Sequence, residues 1–353
     1  MPPKKYKISI YEVWPDMKDY LCKKLKGFKV KTHEELISKN NLDTDTEILT
    51  VFCASPVSAK IIDSLPKLKM IATMSTGFNH IDLEAAKKRN IPVCNVPVYG
   101  QNTVAEHSFS LILALARKLF ISVKRVKEGN FDFHGLRGID LKEKTLGVIG
   151  TGHIGIHLIE MAKGFNMNIV AFDAYPNKEL AKKFGFKYLP LDKLLSSSDF
   201  ISLHLPLFKE THHLINKKNI KKVKKGAYLI NTARGELVES EALVWALENG
   251  ILAGAGLDVL EEECNIQNEG TILFEQGYGK NMRQTKSSKL TPKQIKTMLM
   301  NEILIDHPGT IITPHNAFNS TEALQRIIDA TIDNIICFTK GENKNNVLDK
   351  KKK

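Results

Sequence analysis

Along the chain, short apolar runs alternate with stretches in which apolar residues recur at helical spacing. From Lys7 to Val51 the two patterns succeed one another, and Leu68-Lys69-Met70-Ile71-Ala72-Thr73-Met74 then reads as a strand ending at Ser75-Thr76-Gly77. Together they predict a first βα domain. Asn95 to Gly100 is a turn-rich link. Thr103 and Glu106 stand at the spacing of a capping box, which predicts a helix running to about Phe120. That segment, VAEHSFSLILALARKLF, is apolar on more than one side, so burial between domains or subunits is expected.

Beyond it, strands are predicted at Leu146 to Gly150, Asn168 to Asp173, Phe200 to Leu205, Ala227 to Thr232, Gly254 to Val259 and Thr310 to Thr313. Helical stretches such as Ile154 to Phe165 and Ser240 to Asn249 lie between them, which implies a parallel, doubly wound α/β sheet. Glu269 to Lys289 has no period and reads as a loop, whereas Thr291-Pro292-Lys293-Gln294 carries the N-cap, first-turn proline and glutamine of a helix start. There is no internal repeat.

Composition narrows the class. A chain of 353 residues exceeds the usual span of one core, so two domains are expected. The longest apolar stretches fall short of the roughly 18 residues that a membrane span needs. The N-terminal segment MPPKKYKISIYEV has no long hydrophobic region of an export signal, so a soluble, cytoplasmic protein is expected. Its five cysteines are odd in number and form no CxxC pair, which suits reduced thiols rather than a disulfide frame or a metal site. The net charge of +12 and the four lysines after Asp349 raise the question of nucleic acid or an acidic membrane. Because the lysines are spread along the chain and not interleaved with aromatics, a solvated basic surface with neither partner is expected.

Candidate chemistry begins at Gly150-Thr151-Gly152-His153-Ile154-Gly155, a G-x-G-x-x-G sequence that follows a predicted strand and opens a predicted helix. The first glycine permits a tight turn, the second lets a pyrophosphate approach the backbone, and the third lets helix and strand pack closely. Asp173 ends the next strand, 23 positions after Gly150, where a carboxylate can accept hydrogen bonds from a ribose 2′-hydroxyl. No arginine follows in Ala174-Tyr175-Pro176-Asn177 to receive a 2′-phosphate, so NAD is expected rather than NADP. Reduction of a 2-oxo acid needs a cation for the carboxylate and carbonyl, and an acid for the oxygen. Arg234 in Asn231-Thr232-Ala233-Arg234-Gly235, Glu263 in an acidic triplet and His315 in Thr313-Pro314-His315-Asn316-Ala317-Phe318 are the candidates, each just after a predicted strand.

In order and wording, GTGHIG, HLPL at His204 to Leu207, INTARGELV, GAGLDVLEEE and TPHNAF resemble the D-isomer-specific 2-hydroxyacid dehydrogenases. The resemblance implies a Rossmann cofactor domain at 99–311 inserted into a flavodoxin-like substrate domain made of 1–98 and 312–353. It implies that Arg234 binds the substrate, that His315 is the acid in reduction and the base in oxidation, and that Glu263, five after Asp258, holds the imidazole. Beside the glycine motif, His153, Ile154 and Asp173, it implies cofactor contacts from Leu205, Pro206, Thr211, Thr232, Ala233, Arg234 and Asp258. Substrate contacts are implied for Thr76, Gly77, Tyr99 and Phe318, the last two matching pocket positions of the D-lactate dehydrogenase branch. Pyruvate is therefore the first substrate expected and a homodimer the expected assembly. Hydroxypyruvate, glyoxylate, 3-phosphoglycerate or a branched 2-oxo acid are the alternatives within the family, and an NADH-sensing corepressor-like scaffold is the alternative outside enzymology.

Overall fold

The computed structural model describes residues 6–263 and 291–349; the loop expected at Glu269 to Lys289 lies outside the described residues. The chain divides into two compact units, Met1–Gly100 with Asn319–Lys353, and Gln101–Phe318.

In the first unit five parallel strands stand in the order β2-β1-β3-β4-β5: β1 (Lys7–Ile10), β2 (Lys29–Thr32), β3 (Ile48–Val51), β4 (Met70–Thr73) and β5 (Val93–Cys94). This is the flavodoxin-like order. Every residue of β3 and β4 is buried, as strands covered on both faces require, and this explains why ILTV and MIAT are mostly apolar and show no alternation of apolar and polar positions. The long C-terminal helix of this unit, Thr321–Thr339, is capped by the Ser320 hydroxyl, which accepts from the Ala323 amide. The chain end is stitched to the sheet: Val347 N donates to Val93 O at 2.8 Å and the Val93 amide donates to Asn346 Oδ1 at 3.1 Å.

The second unit holds seven parallel strands in the order β12-β11-β10-β9-β6-β7-β8. They are β6 (Thr145–Ile149), β7 (Asn168–Phe172), β8 (Lys187–Tyr188), β9 (Phe200–Leu203), β10 (Ala227–Asn231), β11 (Leu252–Leu257) and β12 (Thr310–Ile312). Counted within the unit, its first six strands have the 3-2-1-4-5-6 order of the dinucleotide-binding fold, with β12 added at one edge. A separate apolar core covers each face of this sheet.

Two expectations need correction. The helix placed at Thr103 starts at Gln101 and ends at Ala116 (α4), so Thr103 lies in its first turn, and Glu106 Oε1 accepts instead from Asn102 Nδ2 at 3.2 Å. The break falls at Lys118, whose backbone is left-handed (φ 51°), and a second helix, α5 (Leu119–Lys127), follows. Within its own unit α4 packs on β10, β11 and the helix after β6. Finally, the chain leaves the second unit at Phe318 rather than near residue 312, because the backbone of His315 and the amides of Asn316 and Ala317 are tied to Asp258. The helix start at Thr291 is as expected, with a complete capping box to Gln294 on α10 (Pro292–Asp306).

Candidate active site

In an open parallel sheet the ligand crevice forms at the carboxyl ends of the strands, where the order reverses. Here that point lies between β6 and β9, and the candidate residues of the second unit all follow strand ends of this one sheet.

Gly150, directly after β6, has φ +98°, and a Cβ there would lie 2.7 Å from His204 O in the turn after β9. Only glycine tolerates both the conformation and the approach. A Cβ at Gly155 would lie 2.1 Å from Gly150 O, so helix α6 (His153–Gly164) can sit against its strand only with glycine there. Gly152 differs. It caps α6 without a side-chain cap, and a Cβ on it would meet no atom of the described residues within 4 Å, so the approach to this helix start is open. Such a cradle fits a pyrophosphate, which needs close backbone approach and the positive end of a helix. His153 is exposed there and Ile154 is half-buried.

Asp173, after β7, is half-buried, and its carboxylate is held from behind. Oδ2 accepts from the Thr151 amide at 2.7 Å and from Thr151 Oγ1 at 2.9 Å, while Oδ1 accepts from the Tyr175 amide at 2.9 Å. Thr151 Oγ1 is 2.8 Å from the Tyr188 hydroxyl. The acid is thus fixed with acceptor capacity to spare, as a ribose diol requires. Thr151 and Tyr188 were not singled out in the sequence; the x of the glycine motif carries no marker for this duty.

After β10, Asn231 clasps the turn that presents Arg234: its Nδ2 donates to Arg234 O at 2.8 Å and its Oδ1 accepts from the Ala233 amide at 3.1 Å. Thr232 is buried with its hydroxyl 2.8 Å from Ser108 Oγ of α4. Arg234 Nη1 donates to Ala233 O at 2.6 Å, and among the described residues most of the guanidinium donors have no other acceptor. In the turn after β9, Thr211 Oγ1 accepts from the Phe208 amide at 2.7 Å and donates to Pro206 O at 2.8 Å, so it closes that loop beside Leu205.

Past β11 the three consecutive glutamates turn three ways. Glu261 is buried against His213 and Ser240, and Glu262 Oε2 accepts from Gln294 Nε2 at 3.3 Å. Glu263 Oε1 meets His315 Nδ1 at 2.7 Å. That contact raises the imidazole's pKa above its ordinary value, against opposing contributions from burial and from the nearby Arg234 cation. Asp258 is only 1% exposed and forms the strut beneath the histidine. Oδ1 accepts from Thr313 Oγ1 at 2.5 Å and the Asn316 amide at 2.8 Å, and Oδ2 from the Ala317 amide at 2.8 Å. His107 of α4 adds a 3.0 Å bond to Thr313 Oγ1. His315 itself has a left-handed backbone (φ 52°), a strained conformation that these bonds hold in place.

Within the first unit, Thr76 is exposed and donates its hydroxyl to Val96 O at 2.7 Å, while Gly77 O accepts from Ser75 Oγ at 2.6 Å. Tyr99 is half-buried, its carbonyl accepting from Arg326. Phe318, the last residue of the second unit, is half-buried.

Residues 109–317 match the family described as D-isomer specific 2-hydroxyacid dehydrogenase, NAD binding domain. The chain is 34% identical to a D-lactate dehydrogenase of Escherichia coli K12, covering 97% of this chain and 99% of that one. It is 33% identical to a glyoxylate reductase of Korarchaeum cryptofilum over 84% and 81% of the respective chains. Among solved structures, D-lactate dehydrogenase of Aquifex aeolicus, complexed with NAD and lactic acid, superimposes with a TM-score of 0.81 at 34% identity, covering 98% of this chain and all of that one.

Proposed function

The chain belongs to the D-isomer-specific 2-hydroxyacid dehydrogenases and uses NAD, and from that premise we propose that it reduces a small 2-oxo acid, pyruvate foremost, to the D-2-hydroxy acid and catalyses the reverse. The observation that carries the chemistry is the 2.7 Å pairing of His315 with Glu263 at the sheet edge that also presents Arg234.

When bound, NADH supplies the hydride to the carbonyl carbon. Arg234 holds the substrate carboxylate with its planar fork and draws charge from the carbonyl oxygen. Since His315 Nδ1 is turned to Glu263, Nε2 is the nitrogen left to give its proton to that oxygen. Glu263 favours the imidazolium before transfer and fixes the ring. After transfer the imidazole is neutral, and a side chain 43% exposed can regain its proton from water. In oxidation the same nitrogen takes the proton back. Asp258 is a positioning residue, and the cofactor contacts expected of Leu205, Pro206, Thr211, Thr232, Ala233 and Asp258 belong to the same reading. So do substrate contacts from Thr76, Gly77, Tyr99 and Phe318, with the first unit as substrate domain.

Pyruvate is favoured by the near full-length likeness to D-lactate dehydrogenases. The similar glyoxylate reductase supports the second reading, a change of substrate with the chemistry intact. The cytoplasm and a homodimer complete the proposal. Free thiols at Cys22, Cys53, Cys94 and Cys337 support the compartment, and the exposed Leu119, Phe120, Val123 and Val126 of α5 support self-association. The test is NADH oxidation with pyruvate, hydroxypyruvate, glyoxylate and 2-oxoisocaproate side by side, with chiral analysis of the product. Highest kcat/KM on pyruvate with D-lactate formed is expected. Preference for another acid would replace the substrate, and silence on all four would leave the scaffold.

A further inference from the structure

Outside the reacting groups, His212, His213 and Glu261 place two ring nitrogens and a carboxylate oxygen within 4.8 Å of one another. We propose that these three side chains form a site for one divalent transition-metal ion of the zinc type, unconnected with hydride transfer.

The convergence has a structural cause. Neighbouring residues ordinarily send their side chains apart, but His213 has a left-handed backbone (φ 50°) and its ring is stacked at a tilt on that of His212, centroids 3.9 Å apart. A non-glycine residue in that region is uncommon and is kept only where surrounding bonds enforce it. They do so here: the His213 amide donates to Glu236 O at 2.8 Å, and the His213 carbonyl accepts from Asn216 Nδ2 at 2.9 Å. The third donor is equally preset. Glu261 is 6% exposed, Oε2 accepts from the Ser240 amide at 3.2 Å and its hydroxyl at 3.0 Å, and Asn301 Nδ2 donates to the Glu261 carbonyl at 2.7 Å. Outer hydrogen bonds of this kind orient a ligating carboxylate and sustain metal affinity.

The donor set selects the ion. Two imidazoles and one carboxylate suit zinc, nickel or copper rather than magnesium or calcium, which prefer oxygen alone. Zinc bonds of about 2.0–2.2 Å put tetrahedral donors about 3.4 Å apart. His213 Nε2 and Glu261 Oε1 stand 2.7 Å apart, so they need to open slightly while the His212 ring closes in. His212 is exposed, which gives the ion a way in and leaves the fourth position to water. Binding would join the turn after β9 to the turn after β11.

Exposed Cys22 and Cys53 could compete for the ion, so the test uses the full chain with both changed to serine. Calorimetric titration with Zn2+ is expected to show one ion per chain, with affinity lowered about a hundredfold or more by His212→Ala, since outer-sphere losses alone cost ten- to hundredfold. His212 is at the surface, and an unchanged thermal melt of the metal-free variant confirms that it folds. Zinc is expected to raise the Tm of the parent but not of the variant. Identical isotherms for the two proteins, or no binding by the parent, would overturn the site and leave His213 and Glu261 as a hydrogen-bonded clasp only.

Discussion

His315 Nδ1 and Glu263 Oε1 lie 2.7 Å apart although the residues are 52 positions apart in the chain. The carboxylate raises the imidazole's pKa, so the protonated form that reduction needs persists to higher pH. For reduction, kcat/KM falls as pH rises through that pKa; for oxidation, which needs the neutral ring, it falls as pH drops through it. Glu263→Gln keeps the shape and removes the charge. It is expected to move both limbs to lower pH. Profiles measured in both directions check this, and limbs left in place would show that another group sets the titration.

The glycine motif offers two substitutions with opposite expectations. Gly155→Ala puts a Cβ 2.1 Å from Gly150 O, so it is expected to destabilise the protein by about 1–3 kcal/mol through overpacking. Gly152→Ala meets no protein atom within 4 Å and is expected to leave the melting temperature nearly unchanged while weakening NADH binding. Thermal melts beside NADH titrations distinguish them, and weakened stability with intact NADH affinity in Gly152→Ala would contradict the phosphate cradle.

Asp173 is fixed by Thr151 and Tyr175 with capacity for the ribose diol. Removing a charged acceptor costs about 1.5–3 kcal/mol. Asp173→Ala should therefore reduce the preference for NADH over NADPH about ten- to hundredfold, read as the ratio of kcat/KM for the two coenzymes. An unaltered ratio would mean that another group reads the ribose.

Much of this was legible in the chain, for identifiable reasons. The strands β6, β7, β9 and β10 are apolar runs ended by polar or glycine residues, so their positions followed to within one or two residues. The candidate reacting groups could be named because each stands in a segment that follows a predicted strand. Short elements escaped notice: β8 has two residues and α7 (Lys178–Phe184) seven, too few for a period. The end of α4 was misplaced because the apolar pattern of LARKLF runs straight through a break that depends on the backbone of Lys118. The supporting bonds of Thr313, His107 and Thr151 were invisible for another reason. They join positions far apart in sequence, and polar residues in turns look alike until their partners are placed.

The central claim is that one imidazole delivers the proton as hydride reaches the substrate. Its most direct test is the rate of NADH oxidation by His315→Ala with saturating pyruvate, measured beside the NADH dissociation constant. Loss of general acid catalysis is expected to lower the rate about a hundredfold to ten-thousandfold with NADH affinity unchanged. A rate equal to that of the parent protein, or a loss traceable wholly to weaker NADH binding, would contradict it.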